Sequence, residues 1–178
     1  IKENNNNQEK GGGLLSSVVD SNASPLVISN TTISANQANN SGGGLHLTGV
    51  NAQLSNLTIS NNRCDNNLDE AGATGGGIYI ANTATVNMRN SILAGNSDPT
   101  GTVRAHDLSG TLISAGYNLI GECNVLFCSV TGDTTGNLKG IPSSPIDAKL
   151  DALTLEGDLH STWYHPLQAD SPAVNGAN

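Results

Sequence analysis

A chain of 178 residues is long enough for one domain with a sizeable core, but only 3% of its residues are aromatic and 12% are charged. Its core must therefore consist of small and medium apolar side chains. The formal net charge of −8, with seven basic residues, argues against nucleic acid or an anionic membrane as partner. No apolar run approaches the roughly 18 residues of a membrane-spanning helix, so no transmembrane segment is predicted.

The chain opens at Ile1 inside a polar, Asn-rich stretch, without an initiator methionine or a signal peptide. This start predicts a processed piece of a longer exported precursor. A trimmed cytosolic protein is the alternative.

Three glycine triplets, at residues 11–13, 42–44 and 75–77, divide the first half of the chain into repeats that begin 31 and 33 residues apart. Such a period is typical of solenoids and other repeat arrays. Each triplet precedes an apolar stretch, namely Leu14-Leu15, Leu45-His46-Leu47 and Ile78-Tyr79-Ile80. The triplets lack the Gly-Lys-Ser/Thr ending and the helix pattern of a phosphate-binding loop. They predict corners where the backbone takes positive φ and successive coils approach closely.

A second repeated element, Asn-x-x-Ile/Leu-x-x-Asn, occupies residues 30–36, 56–62 and 90–96. Apolar side chains recur around it with a period of two, which predicts strands with one buried face. They are Leu26, Ile28, Ile33, Ala52, Leu54, Ile59, Val86, Met88 and Leu93. Asn tolerates the left-handed backbone of a bend, and equivalent Asn residues of stacked coils can hydrogen-bond in a row. The sequence predicts such ladders at Asn30, Asn56 and Asn90 and at Asn36, Asn62 and Asn96.

The longest connection between repeats carries the best candidate for a metal site. Asp65, Asp69 and Glu70 lie near Arg63 in it. Clustered carboxylates suit Ca²⁺, either for stability or for pectate-lyase-like chemistry, in which a basic residue abstracts a proton beside a uronate. A solvated surface loop explains the same residues more simply. No two equivalent strand positions both carry a carboxylate, which counts against a glycoside hydrolase.

The three cysteines are odd in number. Cys123 and Cys128 lie five residues apart, a separation that can close a small disulfide loop in an exported protein. Cys64 is then left over, either buried and inert or paired with another chain.

An aromatic cluster near the C-terminus consists of Trp163 and Tyr164, flanked by His160 and His165. It can serve as a sugar-stacking platform or as a cap. We favour a cap packed over the last coil, because the open apolar end of a solenoid must be covered. His46, between two leucines, is predicted to face outward from its strand.

The triplets followed by the Asn elements resemble right-handed parallel β-helix proteins of bacterial surfaces. They are similar to the passenger repeats of polymorphic outer-membrane proteins and, more closely, to the choice-of-anchor β-helix proteins. Motifs in the second half follow the same order as in that family, at residues 90–96, 107–110, 116–121 and 171–178. The pair Asp107-Leu108 stands where the family often has Asp-Cys. The resemblance implies a β-helix whose motifs are structural rather than catalytic.

We therefore expect an all-β fold, a right-handed parallel β-helix (solenoid) with an irregular C-terminal capping segment. Residues 1–178 would form one domain. Within it, regular coils would span 1–100, and less regular coils and the cap would span 101–178.

The expected function is that of a non-catalytic, exported structural or adhesive module of a bacterial cell surface or extracellular assembly. Its partner would be a surface protein, a glycan or another copy stacked end to end. The alternative is a carbohydrate-active or carbohydrate-binding β-helix for acidic polysaccharide, with Trp163, Tyr164 or the acidic loop as the contact. No cofactor is expected, with Ca²⁺ the one candidate. Ice binding by a flat Thr face is disfavoured, because Ile92 breaks the row of Thr32 and Thr58.

Overall fold

The computed structural model describes residues 1–4, 10–17, 24–64, 74–99, 106–157 and 162–176, which contain β-strands and no helix. Eleven strands form one sheet in which every pairing is parallel, and the last two form an antiparallel pair. The strands are β1 Leu14–Ser17, β2 Leu26–Ser34, β3 Leu45–Thr48, β4 Asn51–Ser60, β5 Ile78–Ile80, β6 Thr85–Arg89, β7 Ile92–Leu93, β8 Leu108–Ala115, β9 Leu119–Ile120, β10 Cys128–Asp133, β11 Leu138–Lys139, β12 Thr154–Glu156 and β13 Thr162–Tyr164. The all-β class and the parallel pairing agree with the sequence prediction.

The strands that follow the glycine triplets stack on one another and form what we call the first row. β1 pairs with β3, β3 with β5, and β5 with β8. Leu14 lies beside Leu45, Leu45 beside Ile78, and Ile78 beside Leu108. The triplets are therefore equivalent positions of successive repeats, as their spacing predicts.

The strands of the Asn elements form a second row. β2 pairs with β4, β4 with β6 and β7, β6 with β8, β7 with β9, β8 with β10, and β9 with β11. The predicted equivalences match this register, which aligns three sets: Leu26, Ala52 and Val86; Ile28, Leu54 and Met88; Ile33, Ile59 and Leu93.

The core consists of apolar columns that run from strand to strand. Ile33, Ile59, Leu93 and Ile120 form one such column, and each is at most 1% exposed. Because neighbouring strands lie only about 4.8 Å apart, each side chain covers the next. This packing explains how a chain with few aromatic residues forms a continuous core. Burying each of these side chains contributes roughly 2 kcal/mol.

Left-handed backbone marks the bends in the expected places. The first Asn of every element has a positive φ, namely 50° at Asn30, 55° at Asn56 and 47° at Asn90. Gly42 opens the second triplet with a φ of 75°, and a Cβ on Gly43 would overlap the Arg63 carbonyl of a neighbouring segment. The triplets are therefore places of close backbone approach, where a side chain would force the segments apart.

The C-terminal part departs from the row pattern. β12 and β13 pair only with each other among the described strands. Between β11 and β12 the chain lies against the second row. There the Ile146 N–H donates to the Gly121 carbonyl, and Ile146 packs with Ala148 against Ala94 and Leu119.

Candidate functional site

A buried row of amide side chains, which we call the inner ladder, joins successive repeats. Asn36 Nδ2 donates to Asn62 Oδ1, and Asn62 Nδ2 to Asn96 Oδ1, both at 2.9 Å. The same two oxygens also accept the backbone N–H of the preceding Asn at 3.0 Å. Nδ2 of Asn62 donates further to the carbonyl of Ile33 in the core column. All three Asn side chains are at most 6% exposed, so the hydrogen bonds of the predicted ladder lie in the interior.

The inner ladder ends at the Asp107 carboxylate, which the repeat pattern does not predict to be part of the ladder. Asp107 Oδ1 accepts the Asn96 Nδ2 at 2.8 Å and the Asn96 N–H at 3.0 Å, while Oδ2 accepts the Glu122 N–H at 2.8 Å. Asp107 is 3% exposed, and this burial raises its pKa to about 7 although the hydrogen bonds act in the opposite direction. An ionised carboxylate only accepts hydrogen bonds. It can therefore end a row of donating amides without needing a further acceptor.

A cavity of about 460 Å³ lies beside Asp107, between the second row and the C-terminal segment. His106, Glu122 and Asp147 are among its lining residues, and His106 Nδ1 accepts the Asp98 N–H at 3.0 Å. A carboxyl group that titrates near neutrality in a cavity is a candidate general acid or base. Both oxygens of Asp107 are already engaged by donors, however. This arrangement suits a structural terminus better than proton transfer to a substrate.

A second row of buried polar groups lies at the bend that follows the first Asn of each Asn element. Ser91 Oγ accepts the Leu57 N–H at 3.1 Å, Asn118 Oδ1 accepts the Ser91 N–H at 3.2 Å, and Asn137 Oδ1 accepts the Asn118 N–H at 2.9 Å. Thr31 and Leu57 occupy the equivalent position in the first two repeats. Because that position changes from Thr and Leu to Ser and Asn along the chain, pattern matching missed it.

The first Asn of each element forms an outer ladder that differs from the inner one. Asn56 Nδ2 donates to Asn30 Oδ1 at 3.0 Å, and both residues are exposed. The Asn90 backbone N–H donates to the Gly116 carbonyl of the next segment. What the three residues share is their left-handed backbone rather than burial.

The outward side of the second row is a mainly polar surface, which we call the outer face. One of its columns runs in register across five strands and contains Val27, Gln53, Asn87, Ile113 and Thr131. The neighbouring column contains Ser29, Ser55 and Arg89. This second column continues through Ala115 to Asp133. Amides, hydroxyls and methyl groups dominate the surface, and Arg89 and Asp133 are the charged side chains in these two columns.

A groove of about 220 Å³ crosses the outer face around Arg89. Gln53, Ser55 and Asn87 supply its other polar side chains, and Ala115 lines it on the far side. None of the four polar side chains hydrogen-bonds to another residue that the structure describes. Arg89 also belongs to neither of the two ion pairs found among those residues. The groove therefore presents polar groups whose hydrogen-bonding capacity is unused.

Cys123 and Cys128 form the disulfide that their spacing allows, with Cα atoms 5.3 Å apart. The loop that they close exposes Val125 and Leu126 by 76% and 73%. Cys64 is buried and takes no part in this disulfide.

The aromatic segment contacts the first strands rather than the last. His165 is buried, with Nε2 2.8 Å from Ser34 Oγ and Nδ1 2.7 Å from the Asp151 carbonyl. Because a carbonyl only accepts, Nδ1 donates to it. Lys2 Nζ lies 3.9 Å from the centre of the Trp163 ring. The prediction of a cap packed over the last coil is therefore wrong for these residues, because Ser34 and Lys2 belong to the start of the chain.

Both aromatic rings contact other residues of the chain and stay partly exposed. Trp163 is 40% exposed, and Lys2 lies over its ring. The Tyr164 hydroxyl donates to the Glu156 carboxylate, and this hydrogen bond raises the pKa of Tyr164. Contact with carbohydrate at Trp163 and Tyr164 stays a prediction.

His46 differs from its predicted exposure. It is 5% exposed, and its ring stacks on Tyr79 with centroids 4.6 Å apart. Its Nδ1 lies 3.2 Å from the Ser41 carbonyl, and burial lowers its pKa. Alternation correctly separates His46 from Leu45 and Leu47, but neighbouring residues cover the outward side of the strand.

The predicted Ca²⁺ residues Asp65, Asp69 and Glu70 lie outside the described residues, as does His160. In the described ranges, no group of three or more His, Cys, Asp and Glu side chains is placed to hold a metal ion. The same part of the chain contains no helix with the length and apolar character needed to cross a membrane.

Comparison with known proteins finds no match to this chain among family models, curated proteins or solved structures. Its function has to be inferred from its own residues.

Proposed function

We propose that the two rows are sides of a right-handed parallel β-helix, and that the chain is a non-catalytic, exported structural or adhesive module of a bacterial cell surface or extracellular assembly. The register of both rows supports this architecture. Each of the first three repeats contributes strands to both rows, as one turn of a solenoid does. The resemblance of the repeats to bacterial surface β-helices points the same way.

The observation that carries the adhesive role is the outer face. Its side chains lie in register across five strands, from Val27 to Thr131. The inner ladder hydrogen-bonds successive repeats to one another and supports their common register. A partner would therefore meet a preformed surface, which lowers the conformational entropy lost on binding.

Export is supported by the Cys123–Cys128 disulfide, because such bonds persist mainly in oxidising compartments. A face of mostly uncharged polar side chains also suits contact with hydrated surfaces such as glycans and extracellular proteins, where hydrogen bonds rather than apolar burial give specificity.

The test is a binding measurement on the whole chain. Fluorescently labelled protein is applied to bacterial envelopes, extracellular-matrix proteins and a glycan array. We expect saturable binding that Gln53→Glu with Thr131→Glu weakens about tenfold or more, because two carboxylates would then interrupt the contact. Leu15→Glu is the matched control, since Leu15 is half-exposed in the first row. The proposal would be contradicted if the chain bound none of these surfaces. It would also be contradicted if Leu15→Glu weakened binding as much as the double substitution does.

End-to-end self-association is the variant of this proposal. β10 lies at the edge of the sheet, and β8 is its only partner among the described strands. An open edge can accept a strand of another copy. Sedimentation velocity over a wide range of concentrations decides the matter, because a chain that stays monomeric at every concentration does not assemble in this way.

The alternative function, an enzyme of acidic polysaccharide, has the Asp107 cavity in its favour, because a carboxyl group with a pKa of about 7 suits proton transfer. Incubation with polygalacturonate, with and without Ca²⁺, tests it through the absorbance of unsaturated products. Product release that Asp107→Asn abolishes would replace the structural proposal.

A further inference from the structure

We infer that the groove around Arg89 binds a glycan through a single acidic sugar residue. The guanidinium would hold the sugar carboxylate, and Gln53, Ser55 and Asn87 would bind the sugar hydroxyls. This inference rests on the proposed function as a surface-binding module and names the ligand of its outer face.

The first argument is that the groove's polar side chains are unengaged. In the interior, Asn36, Asn62 and Asn96 engage both ends of their amides in the protein. In the groove, the amides of Gln53 and Asn87 form no hydrogen bond with a described residue. Four polar side chains with unused donors and acceptors thus surround one depression, and a polyhydroxylated ligand can satisfy all of them.

The second argument is the shape of the groove. Ser55 of β4 lies beside Arg89 on one side. The register of β6 with β8 places Ala115 beside Arg89 on the other side. A long side chain therefore lies between two small ones. With strands about 4.8 Å apart, the two small residues are separated by roughly 10 Å. The depressions on either side of Arg89 are open to a ligand that lies across the strands.

The third argument is the chemistry of Arg89. A guanidinium presents a planar set of donors that matches a carboxylate in a two-pronged hydrogen bond. In the part of the chain that the structure describes, the only other arginine is Arg63, whose Nε is buried. Arg89 is exposed, and the side chains beside it in its column, Ser55 and Ala115, are neutral, with Asp133 one strand further on. A cation in such a setting favours an anionic group on the ligand.

The net charge of the chain indicates an isolated carboxylate rather than a polyanion. At −8, the protein repels densely charged polymers at long range. A glycan with one uronic acid, or one terminal acidic sugar, carries the group that Arg89 can bind without that repulsion. The groove lining contains no aromatic ring for stacking, so affinity would depend strongly on the carboxylate.

The test is an NMR titration of the isotopically labelled chain with methyl β-D-glucuronide and with methyl β-D-glucoside, which has the same ring without the carboxylate. We expect millimolar binding of the glucuronide, with shifts confined to the groove, and about tenfold weaker binding of the glucoside, the usual cost of losing a charge-assisted pair. Arg89→Gln should weaken glucuronide binding about tenfold, and Arg89→Lys should restore part of it.

Lys139→Gln is the matched control, because it removes an exposed positive charge from β11 of the same sheet, outside the groove. It should change the glucuronide affinity less than about twofold. Equal binding of the two sugars, unchanged affinity in Arg89→Gln, shifts outside the groove, or tighter binding of an N-acetylglutamyl peptide would overturn the inference.

The two proposals fail separately. If the labelled chain binds surfaces through the outer face but the glucuronide does not bind, only this inference is wrong. If the chain binds no surface and no sugar, both are wrong.

Discussion

The inner and outer ladders contain the same residue type in the same repeats, and yet they have different physical roles. Asn62, in the inner ladder, is fully buried and bonds to two neighbouring segments. Asn56, in the outer ladder, is exposed, and its side chain donates to Asn30. Sequence periodicity predicts that such residues stack, but only burial decides how much the stack contributes to stability.

The largest difference should appear on truncation of the inner ladder. Asn62→Ala leaves the Asn36 N–H and the Ile33 carbonyl without their partner in the core. We expect a loss of about 3–5 kcal/mol in the free energy of unfolding. Denaturant unfolding followed by circular dichroism measures it. If the alanine variant does not fold, Asn62→Ser keeps a smaller polar group and should still lose more than Asn56→Ala; equal losses would contradict the comparison.

The carboxylate at the end of the inner ladder should make stability depend on pH. The pKa of Asp107 is raised to about 7 in the fold, from 3.8. The folded state therefore holds this proton more tightly than the unfolded state, and stability falls as pH rises from about 4 to about 7, by up to roughly 4 kcal/mol.

The pH effect is isolated by comparing the wild-type chain with Asp107→Asn, which has no titrating group at that position. The difference between their free energies of unfolding should change over this window and stay constant above it. A constant difference from pH 4 to pH 8 would show that Asp107 does not titrate there.

An intermediate loss is expected for the second buried row. Asn118 is 1% exposed, and its Nδ2 donates to the Met88 carbonyl and to Ser114 Oγ, both at 2.9 Å. Asn118→Ala should cost about 2 kcal/mol, less than Asn62→Ala, because it breaks fewer hydrogen bonds between segments. Thermal and denaturant unfolding check the order. A loss below that of Asn56→Ala would refute it.

The smallest effects should come from the outer ladder, and they should arise from the backbone. Asn56 has a φ of 55°. Asn56→Ala should cost about 1 kcal/mol, because alanine resists the left-handed region. Asn56→Gly should remain within about 0.5 kcal/mol of the wild type. If the glycine variant loses as much as the alanine variant, then the amide pair with Asn30 is the stabilising feature.

The parts of the fold that could be predicted are those that the sequence repeats. The Gly triplets and the Asn elements recur, so one alignment gave the register of both rows. The alignment did not include Asp107, because Asp107 follows Asn96 by 11 residues. The Asn residues of the inner ladder are 26 and 34 residues apart. The carboxylate comes from the residue just before β8, beside the third glycine triplet, rather than from the position that is equivalent to Asn96 in the next repeat.

The C-terminal contacts could not be predicted for a different reason. The hydrogen bond between His165 and Ser34 has no counterpart in the other repeats. No local sequence pattern encodes a contact between residues 131 positions apart. The groove was missed because its residues are ordinary polar positions of a strand. Only the register that brings Ser55, Arg89 and Asn87 together gives them a common function.

The contact between Lys2 and Trp163 has a kinetic consequence. Trp163 is the single tryptophan of the chain, so its emission reports the docking of the C-terminal segment. Contacts between residues this far apart form late, since closing a long loop costs more entropy than pairing adjacent repeats. During refolding, the fluorescence signal should therefore lag behind the far-ultraviolet signal of the strands. The segment that contains Trp163 would dock onto the first strands after both rows of strands have formed.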